Sequence, residues 1–240
     1  MNLLVPTRRF DKHVLEMMDD PAADPAMLKG ELTNLRKINR YFGGLSAIRK
    51  SLVSLLQGKR DASEIRILDL GTGSADLPIH LVENAKMFDR KFHITAVDNN
   101  PVVLEVARER TKSYAGITIE RGDLLDLKYP PKAFDIVICS LTLHHFSNED
   151  VLKILNSMRE LSRIGFIVND LKRSWPAAWT ARLYCMATTR NPMSIADSYL
   201  SVLRGFTPDE LRSMAHRSGI QTFEIRTHPF FRLLLIGRHG

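Results

Sequence analysis

The chain has 240 residues, 44% hydrophobic and 25% charged, an ordinary globular composition with enough apolar material for a core, which excludes disorder as the main state. Its longest uncharged apolar runs, 136–143 and 233–236, fall far short of the ~20 residues a bilayer span requires. Two cysteines, Cys139 and Cys185, exclude a disulfide scaffold and suit a reducing cytoplasm. The start, MNLLVPTRRFDK, lacks the apolar stretch of a signal peptide, so a cytoplasmic location is expected. The formal net charge of +7 is uneven. Residues 1–60 carry 11 Lys/Arg against 6 Asp/Glu, residues 61–165 carry 13 against 16, and residues 166–240 carry 10 against 5. Basic flanks around an acidic middle suit an anionic partner or simply a solvated surface. No Lys/Arg block with interleaved aromatics points to nucleic acid.

The first sixty residues read as helices, a cap ahead of the main fold. Asp24-Pro25 is an N-cap with a first-turn proline, followed by Leu28, Leu32, Leu35 and Phe42 at helical spacing, and Gly43-Gly44 stops that helix. Leu45, Ile48, Leu52 and Leu55 make a second stripe, ending near Gly58. From residue 65 strands and helices alternate. Strands are expected at 65–70, 92–97, 117–120, 134–139 and 165–168. Helices are expected at 76–86, at 101–111 and at 147–163, the last opened by a capping box, Ser147-x-x-Asp150. This alternation predicts an α/β fold with a parallel sheet covered by helices on both faces.

After residue 171 the rhythm breaks. Residues 175–189 look helical, Asn191-Pro192 reads as a loop, and Thr207-Pro208-Asp209-Glu210 opens another helix, to about residue 217. Strands at 221–226 and 232–236 are too close for a crossover and predict an antiparallel hairpin. Residues 172–206 stand out as a lid-like insertion rich in large side chains, among them Trp175, Trp179, Tyr184 and Tyr199. The domain reading is a helical cap at 1–60 and one main domain at 61–240.

ILDLGTGSADLP joins the first strand to the first helix of the alternating region. Gly71 and Gly73 allow a tight turn and close approach of a ligand. The spacing departs from G-x-G-x-x-G, because the sixth position is Asp76, whose charge would oppose a pyrophosphate. Asp69 ends the first strand and Asp98 the second, where a carboxylate can hold ribose hydroxyls. A nucleoside carrying a positive group suits this acidic pocket better than a dinucleotide. No His/Cys/carboxylate cluster is close enough in sequence to mark a metal site.

ILDLGTGSADLP, AVDNNP, RGDLLDL and FDIVICSLTLHHF, in this order, resemble the successive motifs of class I S-adenosylmethionine-dependent methyltransferases, over residues 60–170. The branch most similar is the small-molecule one that includes ubiquinone/menaquinone methyltransferase-like proteins. The resemblance implies a Rossmann-like, seven-stranded, mostly parallel sheet with an antiparallel last strand, and S-adenosyl-L-methionine as cofactor. It implies that Asp69, Gly71 and Gly73 surround the methionine part, and that Asp98 binds the ribose with Asn99 beside the adenine. It places Asp123 and Leu124 at the adenine, and Ser140 and Leu141 at the sulfonium. Ala75 replaces the family's third glycine.

Ligands of open parallel sheets lie beyond the strands' carboxyl ends. The loops after the fourth and fifth strands offer His144, His145, Asp170 and Arg173 toward a methyl acceptor. His144 or His145 is a candidate general base, or merely shapes the pocket. Asp170 is a candidate base, hydrogen-bond acceptor or strand-end cap, and Arg173 a partner for a substrate carboxylate or for Asp170. The expected function is methylation of a small hydroxylated aromatic or quinone-like acceptor, on oxygen, with carbon methylation and RNA methylation as alternatives. Against RNA, CSLTLHH lacks the Asn/Asp-Pro-Pro-Tyr type of motif.

Overall fold

The computed structural model describes residues 4–11, 14–20, 22–57 and 63–239, so the expected stop at Gly58 lies outside the described residues. Seven strands form one sheet: β1 (Glu64–Leu70), β2 (Lys91–Asp98), β3 (Ile117–Arg121), β4 (Phe134–Ser140), β5 (Ser162–Leu171), β6 (Phe223–His228) and β7 (Arg232–Arg238). Their order is β3-β2-β1-β4-β5-β7-β6. β1 to β5 pair in parallel, while β7 runs antiparallel to both β5 and β6. The hairpin thus inserts its second strand beside β5 and leaves β6 at the edge.

Alternating side chains of the buried strands feed two cores. On one face Leu68 and Leu70 join the apolar sides of α5 (Asn148–Leu161) and α8 (Pro208–Arg217). On the other, Ile65 and Ile67 join Ile48, Leu52 and Leu55 of α2 (Gly44–Leu56) and Leu77 and Leu81 of α3 (Asp76–Glu83). With Leu56, four of α2's leucines and isoleucines are therefore part of the sheet's own packing. α1 (Pro25–Tyr41) instead places Leu28 and Leu32 against Val103 of α4 (Pro101–Thr111) and Met193.

Local chemistry sets the element ends. Asp24 caps α1 by accepting from the Ala26 N–H, and Gly43 turns into α2 at φ +75°. Thr207 and Glu210 form a complete capping box at α8. The box expected at α5 is only half formed. The Ser147 hydroxyl accepts from the Asp150 N–H, but the Asp150 carboxylate takes the Ser147 hydroxyl proton instead of the backbone N–H. α3 stops at Glu83, short of the expected 86, and a 3₁₀ turn follows at Ala85–Phe88.

The region after residue 171 is more helical than the sequence suggested. α6 (Trp175–Thr188) is followed by α7 (Pro192–Arg204) where a loop was expected. Asn191 accepts from the Met193 N–H, so Asn191-Pro192 is the start of a helix and not a break between elements. α6 and α7 pack together, with Ala177 and Ala178 against Val202 and Leu203.

Candidate active site

The carboxyl ends of β1, β2 and β4 open onto a cavity of about 500 Å³, roofed by α1, α6 and α7. Asp69, Gly71, Gly73, Asp98, Asn99, Asp123, Leu124, Ser140, Leu141, His144 and His145 all line it; Asp170 and Arg173 do not.

At the β1–β3 end the backbone turns sharply over the sheet. Gly71 has φ +68°, and a Cβ there would lie 2.4 Å from the Thr142 side chain, so only glycine fits. Gly73 has φ +56° and donates its N–H to Asp98 (3.0 Å), which also accepts from Asn100 (3.1 Å). Burial pushes the Asp69 carboxyl up to about 7, with the charges of Asp98 and Asp76 adding to the effect and the Thr72 hydroxyl opposing it. Burial likewise raises Asp98, against three backbone N–H groups. Among the described residues no cation pairs with Asp69, Asp98 or Asp123, whereas Asp76 is ion-paired with Arg110. The expected opposition of Asp76 to a pyrophosphate is therefore weakened by its partner. The unpaired acids remain, and they suit a ligand that brings positive charge and hydroxyl donors.

Ser140 and Leu141 follow β4, and Leu141 adopts the left-handed conformation at φ +55°. The next residues form a 3₁₀ turn, Leu143–His145, which stacks the two imidazoles at 4.2 Å between centroids. His144 is buried, and its Nδ1 lies 2.7 Å from Asp170 Oδ1. The carboxylate holds a proton on Nδ1 and leaves Nε2 as the basic atom. Burial alone would raise Asp170, but His144 outweighs it and holds the acid below its usual range.

His145 has different neighbours. Its Nδ1 lies 2.6 Å from Asp19 and 3.9 Å from Glu16. Burial would depress it, but Glu16 and Asp19 bring it up to about 9. It is a cation at neutral pH and ill suited to accept a proton. Glu16, His144 and His145 present ligand-type atoms within 4.8 Å of one another, a grouping that sequence spacing could not reveal. Glu16 is already engaged by Arg204 (3.2 Å) and the Ser201 hydroxyl, so its carboxylate is occupied by protein donors.

Arg173 requires correction. It is buried outside the cavity, and its guanidinium is used by the carbonyls of Pro6 (2.8 Å) and Gly205 (2.5 Å) and by Glu210. Its donors go to these protein acceptors, none of which is Asp170. Asp170 likewise does not line the cavity; it is engaged by His144 and the Leu171 N–H. Among the described residues the arginine facing the cavity is Arg232, on the first position of β7. The aromatic wall near it joins Phe42 to Tyr184 (4.8 Å) and to Phe230 (5.2 Å), edge to face. The cavity is also lined by Glu31, pushed up to about 7 by burial, and Asp197, pushed up to about 6 by burial.

A family model described as a methyltransferase domain matches residues 67–165, the segment that builds this glycine turn and the strand ends. Over that segment, 99 of the 240 residues, the chain is similar to a methyltransferase domain. A demethylmenaquinone methyltransferase of Deinococcus radiodurans is 34% identical over 84 residues, covering 35% of this chain and 33% of that protein. A Staphylococcus epidermidis protein of the same name is 28% identical over 128 residues, covering 53% of this chain and 50% of that protein. These matches span a third to a half of the relatives' length. Among solved structures, a SAM-dependent methyltransferase of Aquifex aeolicus superposes with TM-score 0.56 at 15% identity, covering 95% of this chain and 98% of that one. The CurJ carbon methyltransferase gives TM-score 0.67 at 11% identity, covering 90% of this chain and 61% of that one. At these identities the likenesses show the fold alone.

Proposed function

We propose that this methyltransferase uses S-adenosyl-L-methionine to methylate a hydroxyl of a small aromatic or quinone-like acceptor. One observation carries the reading: a single cavity joins the unpaired acids and glycine turn at the β1–β3 end to a carboxylate-held histidine and an aromatic wall at the other.

The acids and the tight glycine turn fit a nucleoside with a sulfonium: Asp98 takes the ribose hydroxyls, Asp123 the adenine amino group, and Asp69 with Gly71 and Gly73 the methionine part. Bound there, the cofactor supplies an electrophilic methyl group. The protein's work is then alignment and proton removal. Leu32, Leu35, Ile38, Phe42 and Tyr184 hold an apolar ring in the remaining space. His144 Nε2 accepts the acceptor's hydroxyl proton, and Asp170 stabilises the imidazolium that results. His145, held by Asp19, packs against His144 and fixes its plane. The quinone-type relatives support the acceptor class, and the apolar wall agrees with it.

Incubation with methyl-labelled S-adenosyl-L-methionine and a panel of phenolic, quinol and hydroxy-acid acceptors tests the proposal. Label on an acceptor oxygen supports it. Label on a ring carbon replaces oxygen by carbon as the target, and absence of any transfer rejects the acceptor class.

A further inference from the structure

Arg232 is 2% exposed and lines the cavity. Its Nη1 is buried with no hydrogen-bond partner among the described residues, and its Nη2 reaches only Asn39 Oδ1, at 3.5 Å. A guanidinium buried in a cavity wall without its hydrogen bonds is costly unless something supplies them. No carboxylate among the described residues lies within ion-pair distance of it. Asp170 is the acid whose field it feels, but Asp170 Oδ1 is taken by His144 and by the Leu171 N–H, and Oδ2 makes no contact with Arg232. The antiparallel register sets Arg232 opposite Leu171, one residue beyond Asp170 and two beyond Asn169, whose neighbour on β4 is Ser140. The guanidinium therefore belongs to the carboxyl edge of the sheet, and it lines the same cavity as His144, Phe42, Tyr184 and Phe230. Burial lowers its pKa only to about 10, so it remains charged at neutral pH.

We propose that Arg232 binds a carboxylate on the methyl acceptor, so that the acceptor is a hydroxylated aromatic acid. The inference rests on the methyltransferase reading above and deepens it. The planar fork of an arginine matches a carboxylate in a bidentate pair, and the ring carrying that carboxylate meets the aromatic wall. His144 and Arg232 line one cavity, so a carboxylate held by Arg232 leaves a hydroxyl of the same acceptor to meet His144.

The test uses 1-hydroxy-2-naphthoate and 1-naphthol, which differ only in the carboxylate. Each is titrated calorimetrically into the full chain saturated with S-adenosyl-L-homocysteine. The wild type is expected to bind the naphthoate at least tenfold more tightly. Arg232→Met is expected to abolish that preference, and Arg232→Lys to retain part of it, with affinity for S-adenosyl-L-homocysteine unchanged in both. That cofactor titration also reports whether each variant is folded. Equal binding of the two probes, binding of neither, or a preference that survives in a folded Arg232→Met variant overturns the proposal. Failure of the wild type to bind S-adenosyl-L-homocysteine instead overturns the methyltransferase reading on which it stands.

Discussion

At the scale of single residues, the account turns on two histidines that the sequence presents as equivalent and the fold does not. His144 donates to a buried acid behind it and keeps Nε2 free, while His145 is held as a cation by Asp19 and Glu16. In single-turnover measurements with an accepted phenol, His144→Ala is expected to lose roughly 10²–10⁴-fold in rate. The loss shrinks toward pH 9.5 as the phenol ionises unaided, and cofactor affinity changes little. A rate within threefold of wild type across pH 6 to 9.5 excludes His144 as the base. Asp170→Asn keeps the shape but removes the charge that holds the imidazole, and at least a tenfold loss is expected. The candidate residues along the glycine turn and strand ends came from their motifs and the resemblance these carry, and all of them line the cavity. The His144–Asp170 pair was not legible in sequence, because it joins residues 26 apart. Arg232 was hidden by its place at the head of the apolar run RLLLIGR, where the sequence gives no sign that its charge is buried beside the site.

At the scale of elements, the alternating strands and helices between 64 and 161 were readable because period-2 apolar runs and N-cap residues mark them locally. α7 was missed although its signal, Asn191-Pro192, was present. The same dipeptide opens helices and interrupts them, and only the cap geometry decides. The N-terminal segment depends on contacts far along the chain: Asp19 meets His145, and Glu16 meets Arg204. The His145 contact is pH-dependent. Its folded pKa, about 9, lies above the ordinary 6.5, so the stabilisation is complete below about pH 6.5 and is lost as pH rises through about 9. His145→Gln is expected to lower the melting temperature at pH 6, with the difference from wild type shrinking toward pH 10. A constant difference across that range contradicts the assigned pairing.

At the scale of the whole molecule, the cavity gathers acids whose burial costs stability. Glu31 is raised from 4.5 to about 7, so between these pH values the unfolded chain has lost a proton that the native state keeps. Stability then falls with rising pH, by up to about 3 kcal/mol from this residue alone. Glu31→Gln retains an acceptor for the Ser194 hydroxyl and is expected to match wild type near pH 4.5 and exceed it at pH 8. Equal pH dependence of unfolding in urea contradicts this. The unpaired acids at the other end of the cavity make the corresponding demand on a ligand, and that demand is the centre of the account. The most direct measurement is a calorimetric titration of S-adenosyl-L-homocysteine and of NAD into the wild type and Asp98→Ala. The account predicts micromolar binding of the homocysteine nucleoside, about −8 kcal/mol, far weaker binding of NAD, and at least a tenfold loss in folded Asp98→Ala. Tighter binding of NAD, or unchanged affinity in that variant, would contradict it.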